Sequence, residues 1–341
     1  MGANLVAVHV GHLLKTRLGA EQQETKMKVQ KLLKSTTGIA ALALTLTAWT
    51  PAQAADIAIV LKTLSNPYWV AMRDGIQKEA KAKGVTVDIL AGNSEEDIQG
   101  QQRLVEDVLN KNYKAIGVAP ISPVSLIQAV AAATKKGIYV VNIDEKIDQG
   151  QLKAAGGAVL AFISSDNVAL GNKAGDFIVQ KLGSAGGSVA IIEGKAGNVS
   201  GDARRDGAKQ AFAKVPSIKL VASQPGDWDR SKALDVTTNI LQRNPDLKAI
   251  YAANDTMALG AAQAVKNADK LGKVIVVGTD GVPEALDSVK RGELTATIAQ
   301  DSAAMGAKTV DLLLDALKNK PAINPAVAPV FIPVESHLIT K

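Results

Sequence analysis

Ten short runs of apolar, mostly β-branched residues punctuate the chain, and stretches of helical periodicity lie between them. The first five runs are Ile57–Leu61, Val85–Leu90, Ala115–Ala119, Ile138–Ile143 and Val159–Ile163. The second five are Ser188–Ile192, Ile218–Val221, Ala249–Tyr251, Val274–Val277 and Leu294–Ile298. Trp69, Met72, Ile76 and Ala80 recur at intervals of three and four, and so do Val310, Leu313, Leu314 and Leu317. That spacing places one apolar stripe along a helix. Asn66-Pro67 adds a side-chain cap and a first-turn proline where the first helix should start. Apolar strands alternating with helices belong to parallel sheets covered on both faces.

Two successive series of about five strands predict two similar α/β lobes, because one sheet of ten strands would be unusually wide. A length of 341 residues accommodates two domains with substantial cores. No low-complexity linker separates the series, so strand crossovers are expected to join the lobes. Open α/β sheets bind ligands beyond the carboxyl ends of their strands. Function is therefore to be sought in polar residues that directly follow the apolar runs.

The first 54 residues follow a different pattern. Met27 precedes a cationic stretch with Lys28, Lys31 and Lys34, then the apolar run Gly38–Trp49, then Ala52-Gln53-Ala54. This is the layout of a cleavable export signal, predicted over residues 27–54 with cleavage after Ala54. Residues 1–26 read as an extension from a start assigned too early. The whole chain carries a net charge of +6, but residues 55–341 hold 33 bases and 31 acids, a net +2. The basic excess belongs to the targeting segment, so no nucleic-acid partner is expected. His9 and His12 lie there too, leaving His337, and cysteine is absent. Disulfides, thiolate metal sites and thiol nucleophiles are excluded, and histidine acid–base catalysis has little material.

The residues at the strand ends are carboxylates, amides, a few cations and aromatics. Lys62–Trp69 follows the first run, Pro120–Pro123 the third, and Asn142–Glu145 spans the end of the fourth. In the second series come Gly194–Gly207, Gln224–Trp228, Asn254–Thr256, Thr279–Gly281 and Gln300. Such a set suits a neutral polyhydroxylated ligand: carboxylates accept from hydroxyls, Arg and Lys donate, and aromatic rings cover C–H faces. Each element also has a plainer reading. A lone Asp after a strand is more often a cap or turn residue, Tyr-Trp at a helix start is as often core, and Arg204-Arg205 alone would be a solvated helix face. Enzyme motifs are weak. The glycine-rich stretch 194–207 departs from a phosphate loop, since Ala196 follows Lys195 and Val189 replaces the first glycine. Asp144, Glu145 or Asp280 could serve a sugar hydrolase as paired carboxylates, which keeps a secreted sugar-modifying enzyme as an alternative.

Seven stretches together carry a family resemblance: residues 60–69, 141–148, 193–208, 222–230, 252–260, 276–281 and 295–300. In order and spacing they resemble the ribose-type periplasmic sugar-binding proteins of ABC importers, over essentially residues 56–341. The resemblance implies the type I periplasmic binding protein fold, two Rossmann-like lobes joined by three crossovers with the ligand in the cleft. The crossovers are expected near Ser165-Asp166, Gln300-Asp301 and Val330-Phe331. One lobe would comprise residues 55–165 plus 301–330, the other 166–300 plus 331–341. By position, the family site falls on Lys62, Asn66, Tyr68, Trp69 and Asp144 in the first lobe. In the second it falls on Arg204, Trp228, Asn254 and Asp280, with Gln300 near a hinge. Arg204 is preferred to Arg205 because the family arginine stands three residues before the helix glycine, here Gly207. Ribose-specific relatives carry Phe at Tyr68, Trp69 and Trp228, Arg at Glu145 and a small hydroxyl residue at Lys62. These departures favour a hexose such as allose, with ribose or psicose as the alternatives. The resemblance implies binding without catalysis, no cofactor, a monomer, an inner-membrane ABC permease as partner and a chemoreceptor as a further candidate. Sugar-responsive repressors share the core but need a DNA-binding segment where the export signal stands.

Overall fold

The structure, a computed structural model, describes residues 55–341; the expected start extension and export signal lie outside the described residues. The first series forms β1 (Ile57–Thr63), α1 (Pro67–Lys83), β2 (Val87–Gly92), α2 (Ile98–Leu109), β3 (Ala115–Val118), α3 (Ile127–Lys135), β4 (Tyr139–Ile143), α4 (Gln149–Ala154) and β5 (Ala161–Ser165). The second forms α5 (Asn167–Leu182), β6 (Gly187–Glu193), α6 (Val199–Ala213), β7 (Ile218–Pro225), α7 (Arg230–Arg243), β8 (Leu247–Ala252), α8 (Asp255–Asn267), β9 (Ile275–Asp280), α9 (Pro283–Arg291) and β10 (Ala296–Gln300). Then follow α10 (Ser302–Asn319), β11 (Val330–Val334) and β12 (Ser336–Thr340).

Two sheets of six strands result, ordered β2-β1-β3-β4-β5-β11 and β7-β6-β8-β9-β10-β12. The inner strands are buried along most of their length; all seven residues of β1 are buried, as a sheet covered on both faces requires. Helices α1 and α10 pair on one face of the first sheet, and α5 and α6 pair on one face of the second. Each pairing depends on glycine. A Cβ on Gly171 of α5 would lie 1.9 Å from the Arg204 carbonyl oxygen, and one on Gly306 of α10 would lie 2.3 Å from that of Met72.

The chain passes between the sheets at Asp166, at Asp301 and at Glu335. The last passage falls after β11 rather than near Val330-Phe331. β11 runs parallel to β5 and extends the first sheet. Phe331 stacks on Phe162 with centroids 5.6 Å apart, and Val334 is buried. Residues 331–334 thus belong to the first lobe. β12 then pairs antiparallel with β10, so the second sheet is mixed, with one antiparallel edge strand.

Candidate functional site

Two α/β lobes of the same strand order face each other through the carboxyl ends of their strands, and each contributes a carboxylate, a cation and an indole ring. In the first lobe, Lys62 stands near the end of β1, 3 % exposed. Its Nζ lies 3.6 Å from Asp144 Oδ2, 3.9 Å from Glu145 Oε2 and 5.4 Å from the Trp69 ring centroid. Burial alone would depress its pKa, but Asp144, Glu145 and Glu95 outweigh that and hold it above the ordinary lysine value. Asn66 caps α1 by accepting from the Tyr68 amide at 3.0 Å, which leaves its side-chain NH2 for the cleft. The Tyr68 hydroxyl donates to Asp144 Oδ1 at 2.8 Å, and its ring meets Trp69 edge-on at 5.0 Å. Burial first, and then the Asp144 charge, push the Tyr68 pKa well up, so the phenol stays a donor.

Asp144 itself sits just past β4 with φ 63°, a strained backbone for a non-glycine residue. Buried Asn142 fixes that turn: its amide oxygen accepts from the Ile147 N–H at 2.9 Å, and its NH2 donates to the Glu145 carbonyl at 2.8 Å. Four of the six non-glycine residues with positive φ among the described residues, Asp144, Asp227, Trp228 and Asp280, lie at this cleft. Strain of that kind persists where the surroundings over-determine it, and it concentrates at functional sites.

In the second lobe, Arg204 projects from α6 and is 5 % exposed. It donates from Nε to Asn167 Oδ1 at 2.8 Å and from Nη1 to the Ala253 carbonyl at 2.8 Å, and it lies 3.5 Å from Asp280 Oδ1. Its guanidinium stands 5.7 Å from the Trp228 ring centroid, within range of a cation–π contact. Trp228 donates from Nε1 to Asn198 Oδ1 at 3.0 Å. Asn254 caps α8 by accepting from the Met257 amide at 2.9 Å. Asp280 ends β9; burial pushes its pKa up from the ordinary value, while Arg204 and Gln300 oppose the shift.

Nine of the ten residues expected from the sequence line one small cavity of about 30 Å3 between the lobes: Lys62, Asn66, Tyr68, Trp69, Asp144, Arg204, Trp228, Asn254 and Asp280. Gln300 stands behind it, donating to Asp280 Oδ1 at 2.7 Å. Arg205 turns away to Asp202, Asp206 and Glu193. The lining also includes Glu95 and Ser200, which the sequence reading did not single out. Glu95 follows β2 as the other site residues follow their strands, and it accepts from Trp69 Nε1 at 2.6 Å; the strand-end rule could have found it. Ser200 falls inside the glycine-rich stretch 194–207, where no local pattern marks it. A groove of about 670 Å3 adjoins the cavity and shares Asn66, Glu95 and Trp228 with it. Among the described residues no three His, Asp or Glu side chains are grouped to hold a metal ion.

Ligand pockets commonly measure about 300–1,000 Å3. Admitting a sugar ring therefore requires the lobes to part, or Lys62 and Arg204 to turn from the carboxylates. The side chains that would bind a polyol are here bound to one another.

The periplasmic binding protein domain profile matches residues 57–321. The chain belongs to the periplasmic binding protein family. It is 61% identical over 288 residues to the D-allose-binding periplasmic protein of Escherichia coli, covering 84% of this chain and 93% of that one. It is 40% identical over 261 residues to the ribose import binding protein of Haemophilus influenzae, covering 76% and 85%. Among solved structures, an ABC transporter periplasmic solute binding protein from Actinobacillus succinogenes with bound D-allose aligns with a TM-score of 0.76 at 37% identity, covering 83% of this chain and 96% of that one. A Caulobacter myo-inositol binding protein bound to myo-inositol aligns at 0.74 and 30%, covering 83% and 92%. The type I periplasmic binding protein fold expected from the sequence is thus the fold of this binding protein and of its relatives.

Proposed function

We propose that this periplasmic binding protein captures a monosaccharide, a hexose of the D-allose type, between its lobes and delivers it to an ABC importer. The observation that carries the reading is the paired set on opposite walls: Asp144, Lys62 and Trp69 facing Asp280, Arg204 and Trp228, all lining one cavity. Carboxylates accept from sugar hydroxyls while the cations donate, in charge-assisted bonds, and the two indoles cover the apolar C–H faces of a ring. Both carboxylates are already held by donors, Asp144 by Tyr68 and Asp280 by Gln300. That arrangement suits hydrogen-bonding roles rather than proton transfer. A wrong epimer buried between the walls leaves a polar group unpaired, at about 1–3 kcal/mol. The relative named for D-allose is the more similar of the two sequence relatives, which favours allose over ribose.

The protein works as a monomer, exported by the signal over residues 27–54, and a chemoreceptor joins the permease as a candidate partner. Edman sequencing of the periplasmic form should return Ala55 first. Calorimetric titration with allose, ribose, psicose, galactose and glucose should give the tightest binding with allose. Binding no tighter than millimolar for every sugar would refute the reading. Turnover of bound sugar, followed by NMR for a day, would convert the protein into an enzyme and overturn the transport role.

A further inference from the structure

Helix α6 carries Arg204, and its first turn is capped from the opposite lobe. Asn198 occupies the cap position with extended backbone, yet its side chain makes no capping bond, although asparagine is among the best residues for that task. Instead its amide oxygen holds the Trp228 indole, and its NH2 donates to the Ile121 carbonyl of the first lobe at 2.8 Å. The cap is supplied by Glu145, which follows β4 in the first lobe. Its Oε1 accepts from the Val199 amide at 2.5 Å, and its Oε2 accepts from the Ser200 hydroxyl at 2.6 Å. Glu145 is fully buried, and the countercharge is Lys62, 3.9 Å away.

We propose that Glu145 is a latch between the lobes, a positioning residue that sets sugar affinity by stabilising closure without being a sugar ligand. Both of its oxygens are engaged by the other lobe, while its neighbour Asp144 lines the cavity. A carboxylate at a helix amino terminus satisfies unpaired N–H groups and the helix dipole at once. When the lobes part, the first turn of α6 loses its cap and Asn198 loses Ile121. The Lys62 charge belongs to both the latch and the sugar cavity, so sugar contact and closure are linked through one side chain. Apparent affinity scales with the fraction of molecules that can close; the latch therefore acts on every sugar alike and leaves the ranking among them unchanged.

The proposal rests on the sugar-binding reading for its effect on affinity but not for the latch itself, and the test separates the two. The chain has no cysteine, so Gln99→Cys in the first lobe and Ser231→Cys in the second, both exposed, accept a donor and an acceptor dye. Single-molecule energy transfer then counts closed molecules with and without allose. Glu145→Ala should lower the closed-to-open ratio by about 10- to 100-fold, the range expected for charge-assisted bonds, and weaken all binding sugars by a common factor. Glu145→Gln, which keeps the shape, should fall between the parent and Glu145→Ala and serves if the alanine variant fails to fold. Adding Ser200→Ala to Glu145→Ala should cost less than the two single effects combined, since the partners lie in different lobes and share one bond. An unchanged closed fraction in both Glu145 variants, or a loss confined to one sugar, overturns the latch. A parent that binds no sugar removes the ligand reading alone; the latch is then decided by the closed fraction of the free protein.

Discussion

Asp144 and Arg204 are placed by bonds that are largely separate from one another. Tyr68 and Lys62 hold the carboxylate, while Asn167 and the Ala253 carbonyl hold the guanidinium. Asp144→Ala or Arg204→Ala should therefore each cost at least about 2 kcal/mol of sugar binding, measured by calorimetry, with the circular dichroism spectrum retained. Asp255 makes a different case. It does not line the cavity between the lobes; it binds the Gly281 and Val282 amides and the Thr297 hydroxyl. Burial pushes its carboxyl from 3.8 up to about 7, against those three donors. The folded state thus holds more protons than the unfolded chain between those values, so stability falls as pH rises from about 4 to about 7 and then levels off. Asp255→Asn keeps an oxygen for the two amides. It should flatten that part of the profile of thermal midpoint against pH, leaving the share that comes from Asp280. At this scale the sequence shows which residues stand at strand ends, and so the cavity lining was legible. The cross-lobe roles of Glu145 and Asn198 were not, because their partners lie 54 and 77 positions away and no local pattern marks them.

The inner strands were legible for the reason that makes them inner: a sheet covered on both faces demands continuous apolar runs. β11 and β12 lack that signature. They are edge strands, with Val330, Phe331 and Leu338 exposed and Pro333 within β11, as edge strands tolerate. Their assignment to two different sheets is fixed by tertiary pairing. The α5–α6 pair carries information of another kind. Gly171 and Gly207 bring the two backbones together, and the Arg204 carbonyl is what Gly171 would strike if it bore a Cβ. Gly171→Ala should force α6 outward and carry Arg204 away from Asp280. Overpacking of this sort costs about 1–3 kcal/mol, and here sugar affinity should fall together with the thermal midpoint. A loss of stability with unchanged affinity would mean that Arg204 tolerates the shift.

Lobes that meet through a latch and a charged cavity have two ways of keeping buried charges compensated. Closed as described, Lys62 faces Asp144, and Arg204 faces Asp280; with sugar between them, hydroxyls would take over those partners. Two of the three tryptophans in the chain, Trp69 and Trp228, line this cavity, and the third, Trp49, falls in the expected export signal. In protein beginning at Ala55 the intrinsic tryptophan emission therefore comes only from the two indoles that line this cavity. Each indole N–H is bonded to a neighbour, Glu95 or Asn198, so both rings are held in place at the cavity wall. Allose should change that emission saturably, with the same midpoint as calorimetry. Trp69→Phe and Trp228→Phe should each keep part of the change, because the rings come from opposite lobes. Ligand that binds the folded form alone also raises apparent stability by mass action, about 2.7 kcal/mol at a hundred times the dissociation constant. A thermal shift without any change in tryptophan emission would move the sugar to another part of the molecule. That outcome would exclude the neighbouring groove of about 670 Å3 as well, since Trp228 lines it too.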